Sequence, residues 1–415
     1  MRDVHSDEVR APALRLEGFE GEWKATALSD IARKVDRKDS TDDSPVMMIS
    51  AADGFINQSE RYSSNNAGKS LKDYTVLNQG ELAYNHGASK LRPFGSTFAL
   101  KVPSARVPFV YHCFSTPDDN PYFVEVGLNS DEVSLQLGKL ISSGARMDGL
   151  LNISFNEFLT VSINLPPRAV QDQLVNIFDS FDQVISLTST RFSSLTSLKK
   201  TMLVKMFPRG TASTPEVRFE GFEGDWKRAE LGQVVESFRY GVNAAAVPYD
   251  GATKYLRITD IDPGAGEFGT GEVTSPDVDR RTADDFLLED GDLVFARTGA
   301  TVGRSYLYRE GVGRTVWAGF LIRAKLVAGS DPDFISASVL TPGYWEYVRM
   351  TSQRSGQPGL NSTEYARLPL WLPSLPEQQA IGAYFRSLDA LIEAEQKKLD
   401  TLRNLKSALL TQMFV

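Results

Sequence analysis

Two stretches of this chain carry apolar positions at heptad spacing, and the two stripes match position by position. Residues 170–206 and 383–414 contain no Gly or Pro. Steps of four and three through the first give Leu174, Phe178, Phe181, Ile185, Thr188, Phe192, Leu195, Lys199, Met202 and Met206. The same steps through the second give Ile381, Phe385, Leu388, Ile392, Glu395, Leu399, Leu402, Lys406, Leu409 and Met413. Eight of ten are apolar in each, and the polar breaks coincide, Thr188 with Glu395 and Lys199 with Lys406. The spacing predicts two long amphipathic helices, each needing a partner for its stripe. Two equal stripes in one chain favour pairing with each other, antiparallel. Packing on the helix's own domain and docking of another protein remain the alternatives. The second helix opens with Ser374-Leu-Pro-Glu377, a capping-box pattern with Pro in the first turn.

Ahead of each stripe the pattern changes to short apolar runs punctuated by Gly and Pro. β-Branched and aromatic residues fill these runs and turn residues bound them, which predicts strands. In the first half they are 45–50, 81–85, 96–102, 107–114, 122–128 and 158–165. In the second half they are 254–259, 292–297, 304–308, 315–327 and 366–372. Helical patterns cover 131–142 and about 333–353. Each half therefore reads as an α+β globule with a mostly antiparallel sheet, followed by a long helix.

The two halves are copies. Residues 15–24, RLEGFEGEWK, and 218–227, RFEGFEGDWK, agree at eight of ten positions, at an offset of 203. LNQGELAYNHGA (77–88) corresponds to LEDGDLVFARTGA (288–300), with Gly80-Glu81-Leu82 against Gly291-Asp292-Leu293. Further on the offset is 207, with Glu157-Phe158 against Glu364-Tyr365 and Leu165-Pro166 against Leu372-Pro373. A period this long means duplicated domains rather than a solenoid. The expected organisation is a first domain at 1–166, a long helix at 167–207, a linker at 208–217, a second domain at 218–373 and a second long helix at 374–415.

Composition narrows the chemistry. The 415 residues carry 53 acids against 45 bases, a net charge of −8. That excludes a wholly basic coat but leaves room for a local basic patch. No run of 18 apolar residues predicts a membrane span, no signal core opens the chain, and the expected compartment is the cytoplasm. Cys113 is the only cysteine, which excludes intramolecular disulfides and cysteine-based zinc sites. His5, His86 and His112 do not form an HExxH helix.

Several motif matches fail on context. Gly264-Ala-Gly-Glu-Phe-Gly269 fits GxGxxG but sits in a loop pattern, without the strand and helix a dinucleotide site needs. Asn120-Pro121-Tyr122 lacks the second proline of the amino-methyltransferase motif, and Pro166-Pro167 is followed by Arg instead of an aromatic. Glu22-Trp-Lys24 and Asp225-Trp-Lys227 resemble the end of a metal-dependent nuclease motif but show no further acid for the metal. Packing of Trp23 and Trp226 is the expected reason for them. Neither a Walker loop nor a GxSxG elbow occurs.

What remains points to binding. Residues 82–116 hold Lys90, Arg92, Lys101 and Arg106 with no acid, and 293–325 hold six bases against Glu310 alone. Gly, Thr and Ser are interspersed, as in ARTGATVGRS (296–305). Glycine lets a loop approach phosphates, hydroxyls and amides donate to them, and Arg reads guanine edges. The candidate DNA-binding residues are Lys90, Arg92, Lys101, Arg106, Arg297, Thr298, Thr301, Arg304 and Arg314. A solvated strand face would carry the same composition.

Over nearly its whole length the chain resembles the specificity subunit of type I restriction–modification enzymes. The strings that carry the likeness are FEGFEGDWK, GDLVFARTGATVGRS and LPEQQAIGAYFRSLDALIEAEQKKLDTLRNLKSALLTQMF. The first half keeps the last string more loosely, and has YNHGASK in place of the Arg-Thr-Gly pattern. The resemblance implies two tandem α+β target-recognition domains, each followed by a long helix. The two helices would pair as an antiparallel coiled coil within a pseudo-twofold repeat. It implies a non-catalytic chain that reads a bipartite DNA target, with the helices as spacer. Two modification subunits carrying S-adenosylmethionine would dock on the helices and methylate adenine N6. Restriction subunits, where present, would use ATP and Mg. No cofactor is expected on this chain. Phe178, Phe181, Ile185, Phe385, Leu388 and Ile392 are the candidate partner-binding residues. Two other readings stay open: a coiled-coil scaffold whose α+β domains bind protein or glycan, and an enzyme with unrecognised carboxylate chemistry.

Overall fold

The structure, a computed structural model, describes residues 12, 14–19, 22–39, 41–61, 68–141, 150–261, 272–353 and 356–413. It divides into two compact units, Met1–Ser186 with Asp400–Val415, and Leu187–Leu399. The GxGxxG match at 264–269 lies outside the described residues.

Each unit is organised on a four-stranded antiparallel sheet with the same strand order. In unit 1 the order is Arg33–Lys34, His112–Ser115, Leu82–Asn85, Ser96–Ala99. In unit 2 it is Val235–Tyr240, Leu321–Leu326, Leu293–Ala296, Ser305–Leu307. The inner strand that follows the Gly-acid-Leu motif is covered on both faces, which is why its apolar run is continuous. Successive side chains of a strand point to opposite faces. Leu82 and Tyr84 accordingly enter one core while Ala83 enters another with Cys113 and Leu77. In unit 2, Leu293 and Phe295 face one core, and Val294 and Ala296 the other.

The Gly-acid-Leu motif is the turn that launches this strand. Gly80 and Gly291 sit at φ +82° and +85°, where a side chain would be strained. The acid that follows closes the turn: Glu81 accepts from the Asn78 N–H and Asp292 from the Glu289 N–H, both at 2.7 Å.

A two-stranded ribbon joins the start of each domain to its end. Lys24–Ala27 pairs with Ser162–Leu165, and Lys227–Glu230 with Pro369–Leu372. Trp23 and Trp226, just before these ribbons, are buried in the main core of their units. In the second copy Glu377 does not act as a simple helix cap. Its carboxylate accepts from Arg218 at 2.7 and 2.8 Å and from the Trp226 indole at 3.2 Å.

Several expected elements are corrected. Residues 122–128 form a helix, Pro121–Leu128, not a strand. Asn120 caps it by accepting from the Tyr122 and Phe123 amides, and Pro121 takes its first turn. Cap and proline override the β-propensity of the aromatic run. Runs 107–114 and 315–327 each break at a turn, and 158–165 starts as a helical turn before its strand. The 333–353 pattern is two helices, Pro332–Ser338 and Pro342–Thr351, the second capped by Thr341. Lys254–Leu256 and Thr315–Trp317 pair in parallel.

The long helices are Arg168–Lys205 and Leu375–Met413. All ten heptad positions of each are buried or half-buried, including the polar breaks. In unit 2, Arg191 meets Glu395 at 2.9 Å and Lys199 meets Asp389 at 2.5 Å, so the helices run antiparallel there. In unit 1, Asp182 pairs with Lys406.

One glutamine fastens each long helix to its domain. Gln171 donates to the Pro166 carbonyl at 2.9 Å and accepts from the Asn120 N–H at 2.8 Å. Gln378 donates to Pro373 at 3.1 Å and accepts from Asp331 at 3.2 Å. Both acceptor contacts reach the cap of the short helix packed beside the sheet. No helix among the described residues is long and apolar enough to cross a membrane.

Candidate nucleic-acid interface

The end of the inner strand is where the two units diverge in chemistry while keeping one backbone. Strand register places Leu82 opposite Phe114 and Leu293 opposite Ala324, so His86 occupies the position of Arg297. One residue on, Gly87 bridges to Leu150 and Thr298 to Gly359. The Leu151 amide donates to the His86 carbonyl, and the Leu360 amide to that of Arg297, both at 2.9 Å. A stacked pair lies beneath the strand in both units: Phe158 on Tyr84 at 4.3 Å, and Tyr365 on Phe295 at 4.5 Å.

In unit 2 the Arg297 guanidinium lies over the Tyr240 ring at 4.9 Å. Tyr240 is itself exposed and accepts from the Ser362 N–H at 3.2 Å. Beside them, the Arg297 N–H donates to the Phe320 carbonyl at 3.2 Å. Phe320 is 59% exposed, on the turn 318–321 closed by Leu321 N–H to Ala318 O at 2.8 Å.

The corresponding turn of unit 1 is 108–111, closed by Tyr111 N–H to Pro108 O at 3.1 Å, and it exposes Phe109 to 58%. Beneath it His86 is buried, with Nδ1 2.9 Å from the Leu151 carbonyl and Nε2 2.8 Å from that of Val110. His112 stacks on it at 5.0 Å and reaches the Ile153 carbonyl at 2.9 Å. Burial holds the His112 imidazole below the usual histidine range. Sequence reasoning tested these histidines only as metal ligands, and only the fold brings them together.

The basic segment of unit 2 is less free than its composition implies. Arg314 pairs with Asp284 and donates to Thr253 Oγ1 at 3.0 Å. Arg309 pairs with Asp333, Arg323 lies 3.5 Å from Asp292, and Lys325 meets Glu289 at 3.0 Å. The partner acids lie outside 293–325, so a count within the segment missed them. Arg304 donates to the Ile261 carbonyl at 3.3 Å.

The Thr-Gly stretch is not an open phosphate loop. Thr301 Oγ1 donates to the Thr298 carbonyl at 3.2 Å, and Thr298 leads a short 3₁₀ turn, Gly299–Thr301. The amides of Gly299, Val302, Gly303 and Arg304 donate to Pro358, Gly299, Ala296 and Thr301 respectively. Gly303 is required by packing, since a Cβ there would meet Val348 at 2.7 Å.

In unit 1, Lys90 and Lys101 are exposed, with the Lys101 ammonium 5.9 Å from the Tyr122 ring. Arg92 and Arg106 hold separate loops, donating to the Asn129 carbonyl at 2.6 Å and the Ser44 carbonyl at 3.1 Å. Of the nine candidates, Arg297 is the one whose backbone N–H bonds an exposed, repeated turn, at the Phe320 carbonyl.

The candidate partner residues lie on the inward side of the long helices. Phe178, Phe385 and Leu388 are buried, the first two in the main cores of units 1 and 2. Phe181, Ile185 and Ile392 are half-buried. The stripe faces inward because it is the seam. Exposed apolar positions lie off it: Val184 and Leu405 in unit 1, Leu391 and Leu198 in unit 2. Val184 corresponds to Leu391 and Leu405 to Leu198. Each pair lies within two residues of its unit's Asp–Lys ion pair.

Among the described residues, no three His, Cys, Asp or Glu side chains come together as a metal site. Cys113 is buried, and burial pushes its thiol up to about 12.

No family model matches the chain. In sequence it is similar to the type I restriction enzyme MjaVIII specificity subunit of Methanocaldococcus jannaschii, 22% identical over 291 residues, covering 65% of each chain. It is 21% identical over 286 residues to the type I restriction enzyme EcoKI specificity subunit of Escherichia coli K12, covering 66% of this chain and 61% of that one. The matches thus span less than two thirds of these relatives. In structure it resembles the type I restriction–modification system S subunit from M. genitalium, with a TM-score of 0.58 at 14% identity, over 98% of this chain and 99% of that chain. That likeness establishes the fold, tandem α+β domains with long helices. The sequence relatives carry the name of the family that the repeated strings resemble.

Proposed function

We propose that this chain is the DNA-reading specificity subunit of a type I restriction–modification enzyme. Each unit reads one half of a bipartite target, and the chain itself performs no chemistry. The observation that carries this reading is one frame used twice with different side chains at the same place. Sheet order, ribbon, turn and glutamine fastening repeat, while the residue after the inner strand is His86 in one unit and Arg297 in the other. A duplicated fold with divergent tips suits two different half-sites, since base edges are distinguished by the side chains that meet them.

Two modification subunits holding S-adenosylmethionine methylate adenine N6 at the target. Restriction subunits, where the system has them, bring ATP and Mg. The like apolar pairs Val184/Leu405 and Leu391/Leu198 support one modification subunit on each unit. The test is to map methylated adenine in cells with and without this chain. A bipartite methylated sequence that appears only with the chain is expected. An unchanged methylome, or binding to protein or glycan with no salt-dependent affinity for duplex DNA, would overturn the proposal.

A further inference from the structure

Phe109 and Phe320 occupy the same turn of the two units, yet they are not aligned residues. Register from the neighbouring strands sets Phe109 against Gly319 and Val110 against Phe320. One turn reads Pro-Phe-Val-Tyr and the other Ala-Gly-Phe-Leu. A phenylalanine simply inherited through duplication would fall at one aligned position. Here the ring moves by one residue in sequence and still projects from the same turn, more than half exposed in both units.

Each turn is also held. Its closing hydrogen bond is 3.1 Å in unit 1 and 2.8 Å in unit 2. Its carbonyl at Val110 or Phe320 is gripped by the residue following the inner strand, through the His86 ring at 2.8 Å or the Arg297 N–H at 3.2 Å. In unit 2 the Arg297–Tyr240 stack flanks the tip. A fixed, exposed phenyl beside a half-buried arginine suits base pairs better than phosphates. A phenyl ring has no hydrogen bond for a phosphate, but it packs on a thymine methyl or wedges at a base step.

Resting on the DNA-reading function proposed above, we infer that turns 108–111 and 318–321 are the base-contacting tips. Phe109 bears on base pairs of one half-site and Phe320 on base pairs of the other. The two rings therefore set sequence preference independently.

The test uses the full chain assembled with its modification subunits. Bound sites are selected from random duplexes, then affinities are titrated over a salt series. The variants are Phe109→Ala, Phe320→Ala and Phe320→Leu, with Leu135→Ala as an exposed apolar control. Each Phe→Ala change should weaken target binding roughly 5- to 150-fold, the range of losing one base-pair contact. It should relax preference in one half-site only, a different one for each variant. The salt slope should stay unchanged, because phosphate contacts set it. Phe320→Leu should retain part of the preference, and the control all of it. Wild-type selection and affinity in both Phe→Ala variants would overturn the inference while leaving the DNA-reading function standing. So would loss of preference in both half-sites from either change alone. A wild-type complex with no salt-dependent duplex binding would overturn both together.

Discussion

Lys199 and Asp389 meet at 2.5 Å across the two long helices of unit 2, at a heptad position where an apolar residue is the norm. Unit 1 repeats the pair with the helices exchanged, Lys406 against Asp182. Lys199 is buried and Asp389 half-buried. Burial raises the Asp389 carboxyl above its ordinary range, and the Lys199 charge offsets only part of that. Such a pair costs desolvation and does not require a large net gain in stability, but a lone buried charge is costly. Asp389→Asn should therefore destabilise by about 1–3 kcal/mol. Lys199→Met, which restores an apolar heptad residue, should cost less or stabilise. Thermal melts of the two variants decide the matter, and equal losses would contradict the argument.

Arg297 and Arg314 were equal candidates on composition, and the structure separates them. Arg314 is tied to Asp284 and Thr253, whereas the Arg297 guanidinium lies on Tyr240. Arg297→Ala should weaken duplex binding. If it neutralises a phosphate, the log–log salt slope should shrink by about 0.9. If it reads a guanine, discrimination should fall by roughly 1–3 kcal/mol at constant slope. Arg314→Ala should leave binding intact and lower stability by about 0–1 kcal/mol, the range for a partly exposed pair. Binding titrations over salt, with melts of both variants, check this; the reverse pattern would move the interface to Arg314.

How much of this was legible in the sequence depends on whether the physical cause was local. The long helices and their seam were, because heptad spacing is a property of the chain itself. Lys199 even marked itself as a break in the stripe, though its partner Asp389 is 190 positions away. The Gly-acid-Leu turn was legible as a motif, and Gly80 at φ +82° with Glu81 on the Asn78 amide explains it. Residues 122–128 were misread because strand-like side chains outweighed a single Asn-Pro cap. The strand Val235–Tyr240 was missed because it is a polar edge strand with a bulge, without an apolar alternation. The basic segment misled because its counter-charges come from Asp284, Asp333 and Glu289 outside it. The exposed turns at Phe109 and Phe320 left no signal, since exposure belongs to the folded chain.

Glu125 gives unit 1 a pH dependence. It lies on the helix Pro121–Leu128 and accepts from the Ala99 N–H at 2.8 Å. Burial pushes its carboxyl up to about 7, which that hydrogen bond and Lys101 only partly counter. Between about pH 4.5 and 7 the folded unit holds a proton that the unfolded chain has released. Stability should therefore fall as pH rises through that window, by at most about 3 kcal/mol, and then level off. Glu125→Gln keeps an acceptor for the Ala99 amide and removes the ionisation. The variant should lose less melting temperature than wild type between pH 5 and pH 8. Parallel curves would mean that Glu125 is solvated enough to ionise freely.

The last prediction separates seam from surface on the long helices. Phe385 is 2% exposed within the unit 2 core, packed near Phe207 with ring centroids 6.0 Å apart. Phe385→Ala should cost about 3–5 kcal/mol through lost burial and the cavity left behind, and any loss of assembly would follow from unfolding. Val184 and Leu391 are 41% and 46% exposed at corresponding positions. Polar replacements there remove little burial, so each melting temperature should stay within the shift of about 0.5 kcal/mol usual for surface changes. If modification subunits dock on these faces, Val184→Ser should weaken recruitment to unit 1 and Leu391→Ser to unit 2, leaving assemblies with one modification subunit. The double variant should bind neither, while half-site preference, which the proposal above assigns to the domain tips, stays as in wild type. Mass measurement of the purified assemblies at low concentration reads this directly. Two modification subunits on the stably folded double variant would place the docking surface elsewhere.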